Sequence, residues 1–339
     1  MALSQQFLQQ IAAESALYQG ALVLIVALLL ARLAPLPKAL SPLSWLSQLA
    51  LSLSAKVNHN SRAPSQQITA GVLAIMLLVM PFWLICVFLL QLAAYPWFFE
   101  CLILYFCLSD EQFNRIAKRV QLALKAQNKA SARRLLKPWQ QRDLDALSEI
   151  GLSKATIEQL ATTPIYGTVA TVLFFILGGA PLVLLASMIK QLESCWPALH
   201  PRYTHFGKPV YLLCYLIYFL PSLAWNITLA IQGGPQTLLT LLRPPLSRQA
   251  VNHQLPTLAV AAKALNIELG GPVKFSLPAH IQMDGMRVEV DKVGSPNKPV
   301  AKDIQAARKL MATGQGIWLA GVLLLPCIWA LLRYLQAGG

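Results

Sequence analysis

Charge is scarce in this chain. Only 12% of its 339 residues are Asp, Glu, Lys or Arg, against roughly 25% in an ordinary soluble domain, while 56% are hydrophobic. That balance excludes an ordinary soluble enzyme and points to an integral membrane protein in contact with membrane lipid. Acid is scarcer than base, with 14 Asp and Glu against 28 Lys and Arg and a net charge of +14. A basic excess on a membrane chain marks cytoplasmic loops beside anionic lipid, so no nucleic-acid partner is expected. Paired cysteines are also missing. Cys86, Cys101, Cys107, Cys195, Cys214 and Cys327 lie mostly inside apolar runs without a CxxC pair, which removes a disulfide framework or zinc site and leaves small buried apolar residues.

The common catalytic signatures are absent too. There is no G-x-x-x-x-G-K-[ST] loop, no H-E-x-x-H, no G-x-S-x-G and no Rossmann glycine fingerprint.

What is present is a series of apolar runs long enough to cross a bilayer, about half a dozen at ~20 residues each. Met1 to Ala16 is polar and lacks the Lys/Arg of a signal-peptide n-region, so Tyr18–Leu36 is expected as a retained first span. Pro35, Pro37 and Pro42 break it, and Leu43–Leu53 alternates around Trp45 like a helix lying at the interface, flanked by Lys38, Lys56 and Arg62. Ile68–Leu92 is a second span kinked at Pro81. Tyr95–Leu108, at about fourteen residues, is short for a span and suits a return arm or a re-entrant piece. Its Glu100 is either an intramembrane carboxylate or a snorkelling residue. Ser109–Thr163 opens with a capping box, Ser109 and Gln112, and continues with Phe113, Ile116, Ala117, Val120 and Leu124 at helical spacing. Its density of Lys and Arg places it in the cytoplasm.

Ile165–Ile189 is expected to span, with Gly178-Gly179-Ala180-Pro181 bending or ending it, and Lys208–Ile231 to span again. The basic loop Gln232–Gln315 is cytoplasmic by the same rule. In it Thr257–Leu265 reads as helical, Glu289–Val293 as extended, and Asp303 as the cap of a helix through Met311. Gly316–Leu335 is the last span. The expected fold is therefore all-α, a polytopic membrane protein with about five or six transmembrane helices and two basic cytoplasmic helical loops. Its parts are an N-terminal hairpin region (1–108), a basic loop (109–164), a central pair (165–231), a second loop (232–315) and a C-terminal helix (316–339). If Tyr95–Leu108 is a full crossing, Lys190–Lys208 falls outside, opposite the basic loops. Either one apolar run is re-entrant or this segment lies at membrane depth.

That segment holds the most motif-like patch. Arg202, Tyr203, His205 and Lys208 gather at a membrane boundary, which suits a phosphate or carboxylate ligand and equally an interfacial belt. Gly270-Gly271-Pro272 lets backbone approach a ligand or simply makes a turn.

In order and spacing, several pieces resemble the CobD/CbiB family of membrane-bound adenosylcobinamide-phosphate synthases. Arg142-Asp143 with Leu147 and Ile150 is similar to the family's R-D-T-x-x-L, and Glu158-Gln159-Leu160-Ala161, closing at Gly167, to its E-S-V-A-E-N-T-S-D-G. Leu192-Glu193-Ser194 resembles N-T-L-D-S, and Arg202-Tyr203-Thr204-His205-Phe206-Gly207 resembles R-Y-x-x-F-G. Ala264 to Pro272 resembles A-L-G-V-x-L-G-G-P, and Asp303-Ile304 through Met311 the closing D-I-x-x-A-x-x-L-M. The likeness runs from about Arg142 onward. Departures are concentrated in acids: Thr162-Thr163-Pro164-Ile165-Tyr166-Gly167 stands where the family has E-N-T-S-D-G. Ala31 to Pro37 and Leu40 to Leu43 lose two more acids and a His, and the P-N-A-G-like element is not recognisable around Asn252–Pro256.

The resemblance implies a cobalamin-biosynthesis ligase of the bacterial inner (cytoplasmic) membrane, multi-pass, joining the corrinoid adenosylcobyric acid to aminopropanol phosphate with ATP and Mg²⁺. Carried onto matching positions, it gives Glu158 and Glu193 as catalytic carboxylates and Arg202, Tyr203, His205, Gly270 and Gly271 as substrate-binding residues. Arg142 and Asp143 become a supporting ion pair, and no metal ligand is assigned. Loss of the acids also matches the alternative, a non-catalytic AmpE-like inner-membrane sensor derived from the same family.

Overall fold

The fold was analysed in a computed structural model, which describes residues 15–37, 40–59, 61–108, 110–140, 142–145, 147–243, 253–275 and 287–338. The polar segment before residue 15, Lys38, the capping Ser109 and Asn252 lie outside the described residues.

Twelve described α-helices carry the chain: α1 (Ser15–Leu33), α2 (Pro42–Val57), α3 (Pro64–Leu92), α4 (Pro96–Cys107), α5 (Asp110–Lys125), α6 (Lys129–Leu136), α7 (Glu149–Pro164), α8 (Ala170–Cys195), α9 (Lys208–Gly233), α10 (Pro235–Leu242), α11 (Leu255–Leu265) and α12 (Ala301–Gly338). The all-α expectation holds. Four helical stretches, α3, the joined α7–α8, α9 and α12, are long and apolar enough to cross a membrane. Their Leu, Ile and Phe side chains stay exposed, as at Leu84, Phe88, Leu216 and Leu332, because lipid replaces protein as their apolar neighbour. α1 is a shorter apolar helix, and α4, at 12 residues, reaches only about 18 Å. It packs between α1 and α8.

The basic region folds by helical periodicity. α5 buries Phe113, Ala117, Val120 and Leu124 on one stripe and leaves its Lys and Arg outward. Asn128 caps α6 by accepting from the Ser131 N–H at 2.9 Å, and Ser148 caps α7 through Gly151 at 3.3 Å. Asp303, the third residue of α12, accepts from the Val300 N–H at 2.8 Å and so caps its start, but the expected short helix through Met311 and the last span Gly316–Leu335 are one continuous helix.

The expected span Ile165–Ile189 takes a different form. After α7 the helix widens into a π turn, Ile165–Val169, and at Gly178 and Gly179 it leaves helical geometry altogether, with φ of +67° at Gly179. There the chain doubles back. Continuous helix would hold residues 166 and 190 roughly 36 Å apart, yet the Lys190 Nζ lies 3.7 Å from the centroid of the Tyr166 ring. The run is a helical hairpin, and the Trp83 indole donates to the Pro181 carbonyl at its tip at 2.9 Å. Lys190 and the residues after it therefore return to the face that carries Arg142 and Lys137, with which they line one cavity. Of the two alternatives the sequence left open, the structure takes the re-entrant one, and the run that turns back is Ile165–Ile189.

Four short strands cap that face. β1 (Glu268–Gly270) pairs antiparallel with β4 (Lys292–Gly294), Leu269 opposite Val293. β2 (Val273–Lys274) pairs with β3 (Arg287–Val288), and Arg142 bridges to Phe275. Asn266, at φ +54°, ends α11 in a left-handed cap that turns the chain into β1.

Candidate functional site

A cavity of about 690 Å³ opens between the hairpin, α2, α11 and the strand cap. Two polar groups of the wall converge on it.

The first is built on Glu158 of α7. Its Oε2 accepts from Arg142 Nη2 at 2.6 Å, and its Oε1 accepts from the Gly270 N–H at 2.8 Å. Arg142 is itself held, its Nε donating to Gln140 Oε1 at 2.8 Å. One carboxylate thus ties a cation and the Gly270-Gly271 turn to the same helix. Gly270 has φ +75°, and a Cβ there would lie 2.2 Å from the Asp291 carbonyl oxygen, so only glycine lets the turn close on β4. Beside it Lys154 donates to Glu268 Oε1 at 2.9 Å. That hydrogen bond, with Lys154 and Lys292 as charges, holds the Glu268 carboxyl below the usual carboxylate range.

The second group joins both arms of the hairpin to α9 and to the residues before α11. Lys190 donates to Glu193 Oε2 at 2.5 Å and rests on the Tyr166 ring. Cys214 Sγ lies 3.2 Å from the same carboxylate oxygen. His253 Nδ1 is 3.6 Å from Glu193 Oε1, and its Nε2 is 3.0 Å from the Tyr166 hydroxyl. Gln254 Nε2 donates to that hydroxyl at 3.1 Å. Burial holds His253 below the ordinary imidazole range against the pull of Glu193, with Lys190 adding to the depression. The buried ring is neutral at pH 7.

The structure brings Arg142, Glu158, Glu193, Gly270 and Gly271 to one cavity and leaves the rest elsewhere. Asp143 does not pair with Arg142; its Oδ1 accepts from the Asp145 N–H at 2.9 Å and its Oδ2 lies 3.9 Å from Lys274 Nζ. Arg202, Tyr203 and His205 do not line the cavity. Tyr203 is buried, with the Arg202 guanidinium 5.6 Å from its ring centroid, and the Arg202 carbonyl accepts from Asn58 at 2.8 Å. The turn is packed shut around Phe206 and Trp196, whose rings are 4.9 Å apart. A Cβ at Gly207 would sit 2.3 Å from the Trp196 carbonyl oxygen. Sequence reasoning missed Tyr166, Lys190, Cys214, His253 and Gln254. A signal existed: polar residues flank Gly178-Gly179 on both sides, Thr162, Thr163 and Tyr166 before and Ser187, Lys190, Gln191 and Glu193 after, the pattern of a hairpin whose open end is polar.

A magnesium ion takes octahedral oxygen ligands, usually one or two carboxylates together with substrate phosphates and waters. Among the described residues the cavity presents two carboxylates, Glu158 and Glu193, and each already carries an ion pair. Donor atoms of Glu193, Cys214 and His253 do lie within 4.8 Å of one another, but this mixed O, S, N set suits a softer metal, and the Lys190 ammonium is on its carboxylate. Among the described residues no cavity carboxylate is left unpaired to hold Mg²⁺ by itself.

A family model described as CobD/Cbib protein matches residues 24–311. The chain is 28% identical over 298 residues to the cobalamin biosynthesis protein CobD of Stutzerimonas stutzeri, covering 88% of this chain and 95% of that protein. It is 26% identical over 304 residues to the CobD of Chromobacterium violaceum, covering 89% and 95%. With the cobalamin biosynthesis protein CbiB of Salmonella typhimurium it shares 26% over 246 residues, covering 70% and 72%. No solved structure matches.

Proposed function

The chain belongs to the CobD/CbiB family, and from that premise we propose that it acts in cobalamin biosynthesis as an inner-membrane amide ligase on a corrinoid. The carboxyl substrate is adenosylcobyric acid, the amine is aminopropanol phosphate, and ATP activates the carboxyl. The observation that carries this reading is the convergence of Arg142–Glu158–Gly270 and Tyr166–Lys190–Glu193–His253 on one cavity. Amide formation from a phosphorylated carboxyl requires cations for phosphate and a base for the amine. Lys137, Arg142 and Lys190 provide the first and neutral His253 the second, all on the cavity wall. The protein's own residues bind and orient both partners and take up the amine proton; magnesium enters only as a companion of the nucleotide.

A second reading, a non-catalytic membrane sensor, is favoured by the engagement of both cavity carboxylates in ion pairs. Complementation separates the two. In a bacterium lacking its own synthase and supplied with cobyric acid and aminopropanol phosphate, growth supports the ligase. Absence of growth with the protein present in the membrane supports the sensor.

A further inference from the structure

The second polar group has an order beyond its charges. Tyr166 lies on the outgoing arm of the hairpin, Glu193 at the end of the returning arm, and His253 just before α11. All three line the cavity. The Tyr166 hydroxyl lies 3.0 Å from His253 Nε2 and accepts from Gln254 Nε2 at 3.1 Å. On the other side of the ring, Nδ1 faces the Glu193 carboxylate, 3.6 Å from Oε1. The tautomer with its proton on Nδ1, turned toward that negative charge, leaves Nε2 as the acceptor for the phenol proton. A carboxylate behind an imidazole, and an imidazole behind a hydroxyl, is the general arrangement of an activated proton acceptor.

We propose that Tyr166, His253 and Glu193 form a proton relay that deprotonates the incoming amine on the cavity side of the hairpin. This inference rests on the ligase reading of the same cavity. The substrate ammonium gives a proton to the Tyr166 oxygen as the phenol proton passes to His253 Nε2, and Glu193 balances the imidazolium. The freed amine attacks the carbonyl carbon of the carboxyl activated by ATP. A C–N bond forms, the bond from that carbon to the phosphate oxygen breaks, and phosphate leaves carrying the second nitrogen proton. His253 returns its proton to solvent through the open cavity. Tyr166 is the catalytic group that meets the amine; Glu193 is a positioning residue. Among the described residues, the charged and titratable groups facing His253 are Glu193 and Lys190 on α8, Tyr166 on the π turn, and Tyr211 and Cys214 on α9.

The hairpin is what makes the relay. Lys190 pairs with Glu193 and covers the Tyr166 ring, which keeps the two arms in register and lets a carboxylate sit near a phenol without unbalanced charge.

The test uses full-length protein in lipid nanodiscs, with ATP, adenosylcobyric acid and aminopropanol phosphate. Tyr166→Phe and His253→Gln are expected to lower kcat by about 10²–10⁴-fold with KM changed only a few-fold. The deficit should shrink as pH rises and more amine arrives already deprotonated. In ¹⁵N NMR of histidine-labelled protein, the signal lost in His253→Gln should report protonation at Nδ1, and Glu193→Ala should weaken that preference. Wild-type turnover with unchanged kcat in both variants, a deficit equal at all pH values, or a ring protonated at Nε2 overturns the relay and leaves the ligase standing. A silent wild type that binds both substrates overturns the ligase reading and the relay with it.

Discussion

The Lys190 ammonium lies 3.7 Å from the centroid of the Tyr166 ring, across a hairpin that an unbroken helix would not allow. The reversal at Gly178 and Gly179 sets this contact, and the cavity depends on it.

The turn itself is open to test. Gly179 has φ +67° and ψ −168°, a region essentially confined to glycine that costs another residue about 1–3 kcal/mol. Gly179→Val should lower the melting temperature of the detergent-solubilised protein, whereas Gly316→Ala, in open space on α12, should leave it unchanged.

Glu158 and Arg142 should behave as one unit. Both side chains are largely buried and their contact is 2.6 Å, so Glu158→Gln alone is expected to destabilise by about 3 kcal/mol through the uncompensated guanidinium. Adding Arg142→Met should recover part of that loss. Additive losses in denaturant-unfolding curves of the single and double variants would sink the pairing.

The patch Arg202–Gly207 should act through packing. Arg202→Ala is expected to change corrinoid binding less than twofold, because its side chain does not line the cavity. Tyr203→Ala should destabilise by about 3 kcal/mol, in the range of large-to-small substitutions in a core. Gly207→Ala should be poorly folded, its Cβ meeting the Trp196 carbonyl oxygen at 2.3 Å. Isothermal titration with cobyric acid and a thermal melt separate these effects.

Acid should loosen the strand cap. Glu268 is held below its ordinary value of 4.5 by Lys154, so the unfolded chain takes up this proton at a higher pH than the folded one. Its contribution is complete above about pH 4.5 and is lost as pH falls through the lower folded value. Glu268→Gln should flatten this part of the profile of melting temperature against pH.

Removing the internal cation should open a metal site. Wild-type melting temperature is expected to be indifferent to micromolar Zn²⁺ at this cluster, since Lys190 is already on Glu193. Lys190→Ala leaves Glu193, Cys214 and His253 within 4.8 Å of one another and should gain Zn²⁺-dependent stabilisation. His253→Gln added to it should remove the gain.

Composition and period settled the class of this protein on their own. Scarce charge and long apolar runs require a helical membrane protein, because backbone in lipid must satisfy its own hydrogen bonds. The stripe Phe113, Ala117, Val120 and Leu124 was legible as the buried face of α5, and Asp303 as a cap, because both are local. Glu158 and Glu193 were reached through their likeness to the CobD/CbiB motifs, and Gly270-Gly271 as a turn where backbone can approach a ligand, though not what they touch. Tertiary structure decided the rest. Hydropathy measures length and not direction, so it reads Ile165–Ile189 as one crossing; the left-handed φ at Gly179, tied down by Trp83, turns it back. That reversal, with α9 and the residues before α11 packed on it, is what gathers Tyr166, Lys190, Glu193, Cys214 and His253 from four separate stretches. It also seals Arg202–Gly207 away, since a patch of cations and aromatics looks the same in sequence whether it faces a ligand or the chain's own core.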